Sequence, residues 1–312
     1  MSEHARPGLK VRAPGKIVIS GAYAVLEGAP AIASAVDRYV VADPAETTPT
    51  PTPEVLAAFE QMPAPAYDAS ALFSGERKLG LGASAAILVA SLAAKIVRER
   101  GELTDADLAG AVLAPALRAH AEAQGGGSGV DVAASAFGRT IVFRRGDGGP
   151  EALLARLPPE LVFEVWWSGV PASTSELVRR VHALRERASS RYLKLIEAQA
   201  SASFDAEVAV KRGDSSGFLR ALEAQRQALD ALGKAAGAPI LDRTARALGD
   251  AAAALGGAAL PAGAGGGDVL VFARPEPSAP EFGVLARESG YVKLEVSLGA
   301  RGVHVYSPSS PA

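Results

Sequence analysis

Apolar and polar positions alternate toward both ends of the chain and recur at helical spacing through its middle. Leu9–Ala13 and Ile17–Ser20 flank Ala13-Pro14-Gly15-Lys16, which predicts strand, tight turn and strand. A second strand pair is predicted near Ala31–Val36 and Arg38–Ala42. The Thr/Pro-rich stretch from Glu46 to Pro53 predicts a loop, followed by a short helix from Pro53 to Gln61 and an irregular segment from Met62 to Ser74. The apolar run after Lys78 predicts a helix reaching about Arg100. Thr104-Asp105-Ala106-Asp107 is a capping pattern that opens a second helix through about Glu122. Val132–Phe137 stays apolar, and Arg139–Phe143 predicts a strand. Leu161–Trp167 is a strongly apolar strand, and Ser173 or Thr174 is placed to cap the helix that follows. Helical patterning then dominates from Ser175 to about Leu255, with breaks near 213–217 and 237–239. A strand at Val269–Ala273, a helix at Phe282–Ser289 and strands at Val292–Val296 and Gly302–Tyr306 complete the pattern. Phe143, Trp166 and Trp167, at strand positions, read as core.

Composition narrows the class. A chain of 312 residues can bury a sizeable core, as one large domain or two lobes. Hydrophobic content of 48% with 21% charged residues fits a soluble globular protein rather than a disordered one. A net charge of −2 without a basic block leaves no footprint for nucleic acid. The absence of cysteine excludes disulfides, thiolate metal sites and thiol nucleophiles, and suits a cytoplasmic protein. Met1–Leu9 is polar, unlike a signal peptide, and the apolar run Ile87–Val97 is too short to span a bilayer. The expectation is a cytoplasmic monomer or homodimer without nucleic-acid or membrane partners.

Candidate chemistry concentrates in glycine-rich segments. Lys78–Ala86 reads K-L-G-L-G-A-S-A-A. Gly80 and Gly82 let backbone approach a ligand, and the helix that follows offers unpaired N–H groups and a partial positive charge. Ser84 adds a hydroxyl suited to a phosphate-associated magnesium ion. No Lys-Ser or Lys-Thr pair closes the segment, so it is not a P-loop. On residues alone, the same glycines also suit close packing of a helix on a sheet. Gln124–Asp131, Q-G-G-G-S-G-V-D, is a second glycine loop, ending in a carboxylate; Gly126 and Gly127 read as turn residues. Pro261–Asp268 is a third. Lys16, taken alone, is a solvated turn lysine.

Ala13-Pro14-Gly15-Lys16, Gly80-Leu81-Gly82-Ala83-Ser84-Ala85-Ala86 and Gly263-Ala264-Gly265-Gly266-Gly267-Asp268 together resemble, in order and separation, the three motifs of the GHMP small-molecule kinases. Ser128-Gly129-Val130-Asp131-Val132-Ala133-Ala134-Ser135 and Trp167-Ser168-Gly169-Val170-Pro171-Ala172-Ser173-Thr174 are similar to segments of the phosphomevalonate kinase branch. Gly21-Ala22-Tyr23 also looks more like this branch than like mevalonate kinases. The resemblance implies an α/β (α+β) fold of two lobes with nucleotide and acceptor in the cleft between them, read here as 1–167 and 168–312. It implies ATP and Mg2+ as cofactors and transfer of a phosphoryl group to 5-phosphomevalonate, giving 5-diphosphomevalonate for isoprenoid synthesis. It assigns Lys16 and Asp131 as catalytic, and Lys78, Gly80, Leu81, Gly82, Ala83, Ser84 and Ala85 to ATP, with Ser84 on the metal. Lys16, Lys78, Ser128, Gly129, Asp131, Ser173, Thr174, Gly263, Ala264 and Gly265 fall to the substrate. Mevalonate kinase, diphosphomevalonate decarboxylase, another GHMP kinase, or a catalytically silent ligand sensor are the alternatives.

A site that joins two anions must supply cations and N–H donors. Lys16, Lys78, magnesium and two helix starts supply them, whereas Arg144, Arg145, Lys211 and Arg212 read as surface residues. Asp131 as a general base suits an alcohol acceptor. A phosphate acceptor, with its second pKa near about 6, needs a base less, so Asp131 is read as orienting Lys16. The bland alternative is a cap on the following helix. The chain also departs from its relatives. Alcohol-phosphorylating members carry a magnesium carboxylate where this chain has His120, so no carboxylate ligand is expected and His120 reads as an ordinary helix histidine.

Overall fold

The computed structural model describes residues 8–60, 62–146 and 149–307. In chain order the elements are β1 (Lys10–Ser20), β2 (Ala31–Thr47), α1 (Pro53–Phe59), β3 (Pro65–Asp68), β4 (Phe73–Ser74), β5 (Arg77–Lys78), α2 (Ala83–Arg100), α3 (Asp105–Gln124), α4 (Val130–Phe137), β6 (Thr140–Gly146), β7 (Gly149–Ala155), β8 (Leu161–Trp167), α5 (Thr174–Arg187), α6 (Ser189–Arg212), α7 (Ser215–Ala236), α8 (Arg243–Ala254), β9 (Ala258–Pro261), β10 (Val269–Pro275), α9 (Pro280–Glu288), β11 (Val292–Leu294) and β12 (His304–Tyr306). Two compact units emerge. Unit 1 comprises the chain up to Ile17, Ser34–Arg139 and the chain from Ser297. Unit 2 comprises Val18–Ala33 and Thr140–Val296. The boundary expected at 167/168 falls inside unit 2.

In unit 1, α2 is the centre. Its run from Ala85 to Ala94 is buried on every side, as its unbroken apolar sequence requires. α1, α3 and α4 pack against it. Thr104 caps α3 as expected, its hydroxyl accepting the Asp107 N–H at 3.2 Å. Strand β12 pairs antiparallel with the start of β1, and β3 pairs antiparallel with β2.

In unit 2, an antiparallel sheet in the order β11-β8-β10-β9 carries the core. Trp166 of β8 and Phe272 of β10 both contact Phe282 of α9, the two phenyl rings stacking 3.8 Å apart. Helices α6 and α7 form a long antiparallel pair.

Several expectations are corrected. The strand-turn-strand at Leu9–Ser20 is one strand, β1, so Lys16 sits mid-strand rather than past a turn. Proline and glycine serve close approach here: the Ser135 hydroxyl donates to the Pro14 carbonyl at 2.8 Å, and a Cβ on Gly15 would lie 2.7 Å from the Leu81 carbonyl oxygen. The strand pair at 31–42 is the single strand β2, which runs on to Thr47. Asp37 interrupts its apolar run, yet its carboxylate accepts the Ser297 N–H at 2.7 Å, so the polar residue is satisfied in the strand. The segment Met62–Ser74 holds β3, a 3-10 turn and β4 instead of irregular chain. The helix expected to reach Gln61 ends at Phe59; Gln61 lies outside the described residues. Strands β7 and β9 escape the pattern because β7 is largely exposed and β9 has only four residues, all buried. A further helix break falls at Ala188, between α5 and α6.

Candidate functional site

Within unit 1, the first two motifs are built into each other. The Lys16 N–H donates to the Leu81 carbonyl at 2.8 Å, so the backbone of β1 holds the turn that starts α2. Gly82, at φ +76°, is the N-cap of α2, and a Cβ there would lie 2.6 Å from Lys16 Cε. The missing side chain is what lets Lys16 cross the helix start. Lys78 reaches the same place from β5, its Nζ donating to Ser84 Oγ at 3.3 Å. Lys16, Lys78, Ser84 and the open N–H groups of Ala83, Ser84 and Ala85 thus gather at one helix N-terminus.

The Q-G-G-G-S-G-V-D loop brings Asp131 to this region. Ser128 Oγ accepts the Val130 N–H at 3.3 Å, Gly129 is the N-cap of α4 at φ +82°, and Asp131 Oδ1 accepts the Val132 N–H at 2.9 Å. Asp131 therefore does supply a helix-start hydrogen bond, and its other oxygen is left for a second role. That oxygen, Oδ2, lies 3.3 Å from Nε2 of buried His120. The contact sets the imidazole nitrogen directly against the carboxylate. Burial pushes the Asp131 carboxyl up, but His120, Lys16 and the Val132 N–H hold it well below the usual carboxylate range. Burial disfavours the His120 imidazolium, yet Asp131 and, more distantly, Glu54 hold its pKa above the ordinary value. His120 is therefore not an ordinary helix histidine.

Glu54, in the first turn of α1, is buried and accepts from Gln124 Nε2 at 3.2 Å. Burial raises its pKa, and its own N–H with the Gln124, Thr52 and Ser84 side chains outweighs that and lowers it. Nothing in the sequence pattern marked Glu54, because the residues that surround it come from α1, α2 and the end of α3. Ser135 falls within a recognised segment, but the bond by which its hydroxyl ties α4 to Pro14 was not legible there.

Within unit 2, the third glycine-rich segment is laced to the Trp167–Thr174 segment. Asp268 donates its N–H to the Val170 carbonyl at 2.8 Å, its carbonyl accepts the Ser168 N–H at 2.8 Å, and its carboxylate accepts the Ala172 N–H at 3.1 Å. A Cβ on Gly267, at φ +132°, would lie 2.5 Å from the Val170 oxygen. Ser173 caps α5 by accepting the Glu176 N–H at 3.4 Å, and Thr174 is the first helical residue. Gly263, Ala264 and Gly265 form the loop crest, with Gly263 and Gly265 at positive φ.

Tyr23 anchors that crest, its hydroxyl donating to the Ala264 carbonyl at 2.7 Å. The residue has φ 62° and ψ −52°, and the Ala24 N–H donates to the Ala22 carbonyl across it at 2.8 Å. That is a γ-turn of the rare positive-φ kind, strained for any residue with a Cβ. Burial pushes the phenol above its ordinary pKa and keeps it a donor. Glu27, which follows, accepts from Tyr192 at 2.8 Å and Arg185 at 3.0 Å and so holds the chain rather than a ligand. Arg144 and Lys211 both pair with Glu207, in keeping with a structural reading of these cations.

Among the described residues no three His, Cys, Asp or Glu side chains cluster to hold a metal, and no helix is long and apolar enough to cross a membrane. Magnesium bound through phosphates needs only one or two protein oxygens, and the Ser84 hydroxyl beside the Glu54 carboxylate fits that demand.

No family model matches the chain. The phosphomevalonate kinase of Streptomyces sp. (strain CL190) is 32% identical over 330 residues, covering 82% of this chain and 87% of that protein. Among solved structures, a Lin0012 protein from Listeria innocua superposes with a TM-score of 0.83 at 23% identity, over 96% of this chain and 99% of that one. Streptococcus pneumoniae phosphomevalonate kinase in complex with phosphomevalonate and AMPPNP superposes with a TM-score of 0.75 at 18% identity, over 93% of this chain and 99% of that one.

Proposed function

The chain belongs to the phosphomevalonate kinase family, with a GHMP kinase fold, and from that membership we propose that it transfers the γ-phosphoryl group of ATP to the phosphate of 5-phosphomevalonate. The products are ADP and 5-diphosphomevalonate. The observation that carries this reading is the gathering of Lys16, Lys78, Ser84 and the α2 N-terminus within unit 1 of a chain 32% identical to a phosphomevalonate kinase. In this reading the protein acts in the cytoplasm on a small-molecule substrate.

Each residue then has a physical task. The N–H groups from Gly80 to Ala85 cradle the ATP phosphates, aided by the helix dipole. Lys16 and Lys78 supply positive charge as the two anions approach, and Lys16 faces the transferred phosphoryl group. Ser84 holds the magnesium ion, which when bound neutralises phosphate charge. Asp131, kept ionised by His120 and Lys16, orients the Lys16 ammonium. It need not act as a base, because the acceptor phosphate is largely ionised at neutral pH. Ser128 and Gly129 shape the turn that aims Asp131. In unit 2, Ser173, Thr174, Gly263, Ala264 and Gly265 offer hydroxyl and N–H donors to the acceptor.

The test is a coupled assay of ADP release with Mg-ATP and, in parallel, 5-phosphomevalonate, mevalonate and 5-diphosphomevalonate. Turnover with 5-phosphomevalonate alone, abolished in Lys16→Met, is the expected result. Turnover with mevalonate alone overturns the assignment of acceptor.

A further inference from the structure

We propose that Glu54 is the carboxylate that completes, with Ser84, the seat of the nucleotide's magnesium ion, a proposal that rests on the nucleotide-binding reading of unit 1. The starting observation is an imbalance. Glu54 is only 7% exposed, yet no Lys, Arg or His lies in ion contact with it among the described residues. Its one side-chain hydrogen bond comes from a neutral group, Gln124 Nε2 at 3.2 Å, and the Thr52 and Ser84 hydroxyls lie close by. Buried carboxylates are paired with cations or bind metals, because an uncompensated charge in the interior is costly. His120, whose charge feels Glu54, lies against Asp131 instead.

Its surroundings name the missing cation. Ser84 stands at the N-terminus of α2, where the phosphates are placed, and its hydroxyl faces Glu54 as well as the Lys78 ammonium. Carboxylate and hydroxyl are hard oxygen donors that suit magnesium, which takes one or two such groups and fills its remaining positions with phosphate oxygens and water. His120 cannot serve in this way: an imidazole is a poor ligand for magnesium, and its Nε2 is committed to Asp131. Glu54 reaches the seat from a different element, α1, and Gln124 at the end of α3 fixes its orientation by donating to its carboxylate, as outer hydrogen-bond donors do for metal-binding carboxylates.

The experiment measures metal binding without turnover. The full chain is saturated with ADP and titrated with Mn2+, and free Mn2+ is read by electron paramagnetic resonance. Wild type and Glu54→Gln are compared; glutamine keeps an oxygen to accept from Gln124. The expected result is Mn2+ binding weaker by at least about tenfold in Glu54→Gln, with metal-free ADP affinity unchanged and the nucleotide-free protein unfolding at a temperature no lower than wild type. Mn2+ affinity within about twofold of wild type overturns the role of Glu54 and leaves the kinase reading standing. Should Glu54→Gln fail to fold, Glu54→Asp keeps the charge but withdraws it by one methylene; weakened Mn2+ binding supports the proposal and unchanged binding overturns it. If wild type with ADP binds Mn2+ no better than free ADP does, the nucleotide-metal reading of unit 1 falls, and this proposal with it.

Discussion

The glycine-rich segment before α2 and the one before β10 look alike in sequence and work differently in the fold. The first, in unit 1, is surrounded by charge: Lys16 and Lys78 at the helix start, the Asp131–His120 pair, and buried Glu54. Its Gly82 is glycine because the Lys16 side chain passes over it. The second, in unit 2, is held largely by backbone groups. Asp268 is engaged with backbone N–H and carbonyl groups, and the Gly266 N–H donates to the Ile240 carbonyl at 2.9 Å. Tyr23 holds its crest through a phenol. A loop set among charged side chains and a loop set among backbone groups are thus told apart by what presses on their glycines, not by the glycines themselves.

The comparison is broken most sharply by adding one methyl group to each loop. Gly82→Ala places a Cβ 2.6 Å from Lys16 Cε at a residue with φ +76°. The side chain that must yield is Lys16, so kcat/KM falls by about 100-fold or more while the protein still folds. Gly263→Ala, at φ +93° with no atom within 4 Å of the new Cβ, meets only backbone strain of about 1–2 kcal/mol. It lowers the unfolding temperature and leaves kcat within about tenfold. Steady-state kinetics with thermal unfolding on both variants check the contrast; equal losses of activity would erase it.

A smaller effect is expected from Tyr23→Phe, which deletes only the hydroxyl bonded to Ala264. Losing one neutral hydrogen bond corresponds to about 1 kcal/mol, or about fivefold. It should appear as a higher KM for the acceptor with the KM for ATP unchanged. A fall in stability with both KM values intact would show that the phenol braces the fold and nothing more.

The smallest effect concerns pH. The His120 pKa is raised on folding by Asp131, with Glu54 adding and Lys16 and burial opposing. Its contribution to stability is therefore fully present below about pH 6.5 and fades as pH rises through the higher folded value. Asp131 is depressed, so its contribution holds above about pH 4 and is lost only in acid. The difference in unfolding temperature between wild type and His120→Gln should be largest near pH 5–6 and shrink toward pH 8. A difference that grows with pH would mean that His120 is buried neutral.

Periodicity made the long helices legible, since α2, α3, α6 and α7 have strong apolar faces or caps at their starts. The strands were less legible where their sequence served another purpose. Pro14-Gly15 reads as a turn because those residues usually make turns, and only the packing of Leu72, Leu81 and Ser135 shows why a strand uses them. Lys16, Ser84 and Asp131 were readable through their motifs. Glu54 was not, and the tasks of His120 and Tyr23, though both residues were noticed, were not either, because each depends on a partner that only folding brings close. Tyr23 in particular carries a backbone conformation that no side-chain pattern encodes.

The bond between the Lys16 amide and the Leu81 carbonyl, with Gly82 beneath the lysine side chain, also constrains how this chain can drift. Neither segment can change freely, because a new side chain at 82 displaces the lysine and a shift of the strand misplaces the loop. The two motifs, though more than sixty residues apart in sequence, are therefore bound to be inherited as one.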